Sequence, residues 1–341
     1  MVLFGFAVPA SIHEMAVSVR LEFAEQIEAL GYESFWMPHS VARDVAGFDT
    51  LDTLSAAAAR TKKIKLGTDV LQVPLYQPVD LARRVVTLDH ISQGRFILGA
   101  GLGWIPKEFD HMGVSFKERG GRMDELLEIM IRLWTEEEVT YEGKYYRLHE
   151  AVVNPKPVHK PYPPILMGGL YTNIQRGAPG ADRKGGWNSR GIRRAVRFAT
   201  GWIPGGRPDL NVCREGMAHL KEEATEQGRS LNDAEFDLTL TSFSQFNIDG
   251  DPDNALKDAQ GFYNTRVREG FFQVQANPSL ESLRASGCYG PADEVAKVIN
   301  RWIGFKKTVP AVKRIVIMFA SLDPVRQLER FHREVRPLLD I

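Results

Sequence analysis

The chain has 341 residues, 43% of them hydrophobic and 25% charged, a composition that excludes a disordered or fibrous protein. Lysine plus arginine and aspartate plus glutamate are equal at 43 each, so no global charge points to nucleic acid or to a membrane surface. The length suits two average domains, but an α/β barrel of this size folds as one, and a single unit over 1–341 is the expectation.

Residues 2–8 are an apolar run closed by Pro9 and read as a buried strand. The segment 15–30 puts Val19, Phe23, Ile27 and Leu30 on one helical stripe and stops at Gly31. A short strand at 34–37 delivers Pro38, His39 and Ser40 to a loop. An alanine-rich helix at 51–59 leads to a third strand, 64–70, which ends in Thr68, Asp69 and Val70. A helix at 79–91 carries Leu81, Val85 and Leu88 along one side, and a fourth strand follows at 96–100. Alternation of this kind implies a parallel sheet with crossover helices. Up to this point a doubly wound sheet and a closed barrel both fit.

The fourth strand runs out into alternating Gly99, Gly101 and Gly103, then Trp104. Glycines let a backbone turn sharply and let a flat ligand approach it, and Trp104 offers an apolar wall. The stretch suits a ring cofactor. It is not a Rossmann dinucleotide turn, which spaces its third glycine differently and opens a helix at once. Here Pro106 disfavours helix for the residue before it, and the next strong helical pattern begins at Arg119.

That helix, 119–134, has Met123, Leu126, Leu127, Met130 and Leu133 on one face. Residues 139–148 place β-formers on either side of Glu142 and Gly143, a hairpin pattern. A proline-rich extended linker leads to a fifth strand, 165–167, ending in Gly168 and Gly169. The segment 170–190 has no clean period; a loop this long inside a compact unit is expected to act as a lid, with Tyr171 and Trp187 to pack with. A basic helix at 191–199 carries Arg193, Arg194 and Arg197, just after Arg190, and a sixth strand lies at 201–204. Helix 210–227, strand 236–243, helix 254–268, a helix from Pro291 to about 303, an eighth strand at 314–319 and a closing helix at 324–338 complete the chain. Eight strands, each followed by helix, favour a closed (β/α)8 TIM barrel, of the α/β class, with two insertions: the hairpin after the fourth helix and the lid loop after the fifth strand.

Cys213 and Cys288 stand far apart and make no metal or redox motif, and no His-x-His or Glu-x-x-His pair suggests a metal site. Neither a signal peptide nor a membrane-spanning run is evident, so a cytoplasmic protein is expected. His90 reads as a packing or capping residue within a helix, and His111 and His149 as loop and hairpin residues. The arginine set could meet a polyanion as well as solvent, and Cys288-Tyr289-Gly290-Pro291 leads into a helix N-terminus, which favours anions.

The segments 67–71 (GTDVL), 78–82 (PVDLA), 88–104 (LDHISQGRFILGAGLGW), 116–125 (FKERGGRMDE), 133–135 (LWT), 141–146 (YEGKYY) and 163–169 (PPILMGG) resemble those of the luciferase-like oxidoreductases, relatives of bacterial luciferase that use FMN or the deazaflavin coenzyme F420. The likeness is strongest between residues 64 and 169 and leans to the F420 branch. It implies a barrel holding coenzyme F420, or alternatively FMN, at the C-terminal ends of its strands. It also implies a non-prolyl cis bond at Asp69–Val70 behind the ring and contacts from Thr68, Asp69, Val70, Gly101, Gly103, Trp104 and Met167. Backbone N–H groups of Gly168 and Gly169 would meet the cofactor phosphate; apart from the resemblance, Tyr289 and Gly290, just before a helix N-terminus, are further phosphate-binding candidates. His39, where many relatives have Asp-His, becomes the candidate catalytic residue, against a surface or capping role. Trp104 stands where the sugar-phosphate dehydrogenases of the family carry a catalytic glutamate, which argues against that substrate. The expected activity is hydride transfer between F420 and a small organic molecule, in a homodimer. The alternatives are an FMN-dependent monooxygenase served by a separate flavin or F420 reductase, or a non-catalytic flavin-binding protein.

Overall fold

The structure, a computed structural model, describes residues 1–8, 16–41, 47–172, 186–205, 208–242, 246–268 and 280–341. Eight parallel strands close a ring. They are β1 (Leu3–Ala7), β2 (Ser34–Met37), β3 (Lys65–Thr68), β5 (Phe96–Gly101), β8 (Ile165–Gly168), β11 (Gly201–Ile203), β12 (Asp237–Thr241) and β15 (Val312–Ile317). Each pairs with the next, β15 returns to β1, and β3 meets β5, so the sheet has no open edge among these strands. The closed barrel, rather than the doubly wound sheet, is the fold. The short piece β4 (Leu71–Gln72) extends the third strand beyond a cis Asp69–Val70 bond and pairs with the end of β5.

Helices α1 (Val17–Ala29), α2 (Thr50–Arg60), α3 (Pro78–Ser92), α5 (Arg119–Thr135), α6 (Ser189–Phe198), α7 (Leu210–Glu226), α8 (Pro252–Arg268) and α10 (Ala292–Gly304) follow the strands, and α11 (Pro324–Arg330) closes the ring. After α1, Gly31 takes φ +75° and the Tyr32 N–H returns to the Ile27 carbonyl, the αL stop that the glycine announces. Pro106 does not delay the next helix. It opens a short one, α4 (Pro106–His111), so His111 is helical rather than in a loop. Proline is preorganised for the first helical turn, whose N–H has no helical partner in any case. The hairpin forms as β6 (Val139–Glu142) and β7 (Arg147–Ala151), its turn gathered by the Glu125 carboxylate, which accepts the N–H groups of Lys144, Tyr145 and Tyr146.

Two elements escaped the hydrophobic pattern. Strand β13 (Phe246–Ile248) and strand β14 (Cys288–Gly290) form a small parallel sheet beside the ring, joined to it by a bridge from Phe246 to Phe319. A further helix, α9 (Leu280–Ser286), precedes β14. Pro291 caps α10 instead of starting it.

Alternation along each strand divides the core. Outward residues such as Phe35, Leu66, Leu98, Met167, Trp202 and Ile315 pack against the helices. The interior holds a separate cluster of Ala7, Trp36, Ile97, Leu166, Ile203, Val316 and Met318, with Val70 against it. Trp36 fills the ring because Gly67 and Gly5 leave it room: a Cβ on Gly67 would overlap the indole. Below it, at the N-terminal ends of the strands, Arg314 is chelated by Glu33 (2.7 and 2.8 Å) and bonded to Asp237 (2.9 Å) and Thr239 (3.0 Å). The barrel floor is therefore plugged by side chains, and in barrels of this kind ligands enter at the C-terminal mouth.

Candidate active site at the barrel mouth

The mouth is organised by the loop after β2. Thr50, at the start of α2, donates its hydroxyl to the Pro38 carbonyl (2.9 Å). The Glu108 carboxylate of α4, 1% exposed, accepts the Val41 N–H (2.8 Å). Between these anchors lies His39, 7% exposed. Its Nδ1 accepts the main-chain N–H of Gln72 (3.3 Å), its carbonyl accepts the Gln72 side-chain amide (3.4 Å), and its Nε2 lies 3.1 Å from the Tyr76 hydroxyl. Burial, then the nearby Asp49 carboxylate, pushes the Tyr76 phenol well above its ordinary value, so it remains a neutral hydroxyl.

The kinked third strand forms the shelf. The Thr68 hydroxyl bonds the Gly99 carbonyl (2.7 Å) and the Asp69 N–H bonds the Met37 carbonyl (2.9 Å), which fix the chain leading into the cis bond. Val70 then projects over the interior cluster. The space beside Gly101 is taken by a Val70 methyl, and Gly168 lies against the same side chain. Glycine at 99 and 101 is thus required by the approach of the third strand itself: a side chain on Gly99 would strike the Thr68 carbonyl. Gly103, at φ +75°, leaves room for the Gln72 amide oxygen and the Phe109 ring. That amide oxygen is buried with no hydrogen-bond partner among the described residues. Trp104 is 43% exposed at the rim.

Gly168 is half-buried and Gly169 exposed at φ +78°, with no atom within 4 Å of where its Cβ would stand. The Met167 side chain packs in the shell between barrel and helices, while strand alternation turns Leu166 and Gly168 inward. Tyr289 and Gly290 lie on the accessory strand β14, outside the ring. The Tyr289 hydroxyl meets that of Tyr263 (3.5 Å), and the Gly290 carbonyl accepts the Asp249 N–H (3.0 Å). The first turn of α10 carries Asp293 and Glu294, charges that already complement its dipole and oppose a phosphate.

Three of the four arginines after the glycine pair are structural. Arg194 forks onto Asp124, Arg197 reaches Glu128 and Arg193 reaches Glu223. His90 bonds the Lys156 carbonyl (2.9 Å), a packing role as its place in α3 suggested. Burial raises both thiols, Cys288 to about 11 and Cys213 to about 12, so neither is a ready nucleophile. Among the described residues no set of His, Cys, Asp and Glu could hold a metal ion. A cavity of about 390 Å³ is lined by Asn247, Asp249, Asp258 and Arg326, in the connections that follow β12 and β15 and in the helices after them.

Of the expected lid, residues 173–185 lie outside the described residues. Its base is a two-stranded antiparallel ladder, β9 (Tyr171–Thr172) with β10 (Gly186–Trp187), whose Tyr171 and Trp187 rings are 4.9 Å apart. Gln72, Tyr76 and Glu108 were not singled out in the sequence. The available signal was positional: all three lie in the connections that follow the third and fourth barrel strands, on the side where a barrel mouth is framed.

The mouth offers what a flat, partly apolar ring needs: the Val70 shelf floored by glycines, a buried polar edge at His39 and Gln72, and the open side of Gly169 for a charged tail. A flavin or deazaflavin fits this donor and shelf arrangement.

Comparison with known proteins agrees. The family described as luciferase-like monooxygenase matches residues 1–182. An F420-dependent glucose-6-phosphate dehydrogenase of Kineococcus radiotolerans is 30% identical over 97% of this chain and 95% of its own length. A 4-hydroxyprotoasukamycin monooxygenase of Streptomyces nodosus subsp. asukaensis is 28% identical over 65% of this chain, and the match spans only 57% of that enzyme. Among solved structures, the monooxygenase RslO1 from Streptomyces bottropensis shares the fold with a TM-score of 0.77 at 21% identity, over 98% of this chain and 99% of its own.

Proposed function

Because the chain belongs to the luciferase-like monooxygenase family, we propose that it transfers a hydride between coenzyme F420 and a small organic substrate. Its relatives are named dehydrogenases and monooxygenases, and the chain is accordingly a flavin- or deazaflavin-dependent oxidoreductase. The observation that carries the reading is the Val70 shelf at the mouth, packed on Gly101 and Gly168 beside the buried imidazole of His39. F420 is favoured because the relative named for it aligns over nearly the whole chain. When bound, that cofactor supplies two-electron chemistry; the protein supplies binding, orientation and exclusion of water.

In this reading Thr68, Asp69 and Val70 back the ring, Gly103 and Trp104 border it, and Gly168 and Gly169 receive its phosphate-bearing tail. His39 is the polar group that bonds the reacting partners. Glu108, in the helix that follows the glycine-rich loop, accepts the Val41 N–H. With Trp104 at the rim, this supports a substrate other than a sugar phosphate. A cytoplasmic homodimer with its barrel in one unit completes the proposal. No described helix is long and apolar enough to cross a membrane.

Titration of the purified apoprotein with F420 and with FMN, followed by fluorescence quenching, tests the cofactor. Tight F420 binding is expected. FMN binding without F420 binding replaces the proposal with its alternative, an FMN monooxygenase supplied by a reductase; the streptomycete relative is named a monooxygenase. His39→Ala tests the role of the imidazole. Turnover lost with cofactor affinity retained supports catalysis; loss of affinity alone makes His39 a binding residue, and no loss of either removes His39 from the site. Cofactor binding by the wild type with no turnover of any substrate favours a non-catalytic flavin-binding protein.

A further inference from the structure

We propose that Tyr76 is a positioning residue which, with the main-chain N–H of Gln72, holds His39 in a single orientation as the neutral imidazole protonated on Nε2. The inference rests on the reading of His39 as the polar group of the site. The argument begins with the donor that has no choice. A backbone N–H can only donate, so the Gln72 N–H at 3.3 Å makes Nδ1 of His39 an acceptor. A neutral imidazole carries one N–H, which must then be on Nε2. Nε2 lies 3.1 Å from the Tyr76 oxygen, so the ring donates and the phenol accepts. The hydroxyl keeps its own proton, since burial and the carboxylates of Asp49, Asp52 and Asp80 disfavour the phenolate. That proton is free to point at a third group.

Both partners come from one short stretch. Gln72 ends β4, and Tyr76 follows a 3₁₀ turn, Val73–Leu75, whose side chains are all buried. The Tyr76 N–H bonds the Val73 carbonyl (3.1 Å) and Pro78 opens α3 directly after. The clamp on His39 is therefore continuous with the segment that carries Val70. The imidazole and the shelf are positioned by the same piece of chain, a coupling that local spacing does not reveal because His39 and Tyr76 are 37 residues apart. A partner that orients a histidine and selects its tautomer is the usual device for making one ring nitrogen serve one purpose.

The test reads the ring itself. Imidazole ¹⁵N spectra of histidine-labelled protein are recorded for the wild type, for His39→Ala to assign the signal, and for Tyr76→Phe. The wild-type His39 signal is expected in the Nε2–H form alone. Tyr76→Phe is expected to convert it to a mixture of both tautomers, with cofactor affinity within about twofold of wild type, a change below ~0.5 kcal/mol. Should Tyr76→Phe fail to fold, incorporation of 3-fluorotyrosine weakens the same acceptor without removing it, and must shift the His39 signal. An Nδ1–H form in the wild type, or a signal unmoved by both changes, overturns the proposal. These measurements stand apart from the catalytic reading: His39→Ala with unchanged turnover removes the role of His39 and leaves the tautomer result to be judged on its own.

Discussion

A methyl group added at Gly101 would land on the side chain of Val70. Overpacking of this sort costs about 1–3 kcal/mol, and here the yielding atom belongs to the proposed cofactor shelf. Gly101→Ala is expected to lower the urea midpoint and to weaken cofactor binding together; an unchanged affinity would show that Val70 does not support the ring. Glu108 offers a contrasting case. Its carboxylate is buried and its visible task is to accept the Val41 N–H, so Glu108→Ala leaves that donor short of a partner, at about 1–3 kcal/mol. Equilibrium unfolding measures the loss, and a variant as stable as wild type would mean that water replaces the carboxylate. The glycines of the fourth strand were conspicuous in the sequence as a place where a flat group could approach. Which group approaches was not legible: for Gly99 and Gly101 it is the third strand, because a kink in one strand needs small residues on its neighbours.

The barrel elements were readable because each buries a continuous apolar run or a single helical stripe, signals of period two and 3.6 that need no neighbours to be seen. Other features have their reason across the sheet, and the contact made by Glu28, at the end of α1, is one of them. Its carboxylate collects the N–H groups of Lys62, Lys63 and Ile64, and so sets the entry into β3. Burial acts to raise its pKa, but the three backbone donors outweigh it and the value lies below the ordinary 4.5. A carboxyl depressed in the folded state contributes stability that is complete above the unfolded value and is lost as pH falls through the folded one. Glu28→Gln is therefore expected to be less stable than wild type at about pH 7 and to converge with it as the pH falls below the usual glutamate range, in urea unfolding series. A constant difference across that range would remove the linkage. At the barrel floor, Arg314→Met strands Glu33 and Asp237 in the interior, a loss of about 3–5 kcal/mol if the pair behaves as buried ion pairs do when one partner is removed.

At the scale of the whole molecule, the floor and the mouth divide the labour. The floor is filled by Trp36 and the Arg314 ion cluster; the mouth keeps glycines, a half-buried valine and a clamped histidine. A ligand that binds only the folded state at a hundred times its Kd adds about 2.7 kcal/mol. Thermal unfolding with saturating F420 is accordingly expected to shift upward by several degrees, and more than with FMN at equal concentration. A larger shift with FMN would reverse the choice of cofactor.

The amino-acid sequence alone determined the alternation of strands and helices, the count of eight and the family motifs, and the resemblance those motifs carry implied the cis bond at Asp69–Val70. The alternation and the count depend on residues close in the chain, on hydrophobic period and on glycine and proline punctuation. Only the tertiary structure decided that the Met167 side chain packs between barrel and helices, that Tyr289 and Gly290 belong to an accessory sheet, that the arginines of α6 serve α5 and α7, and that His39 is held by Gln72 and Tyr76. Each of those facts is a contact between residues tens of positions apart, set by the register at which the barrel closes, and register is a property of the assembled ring.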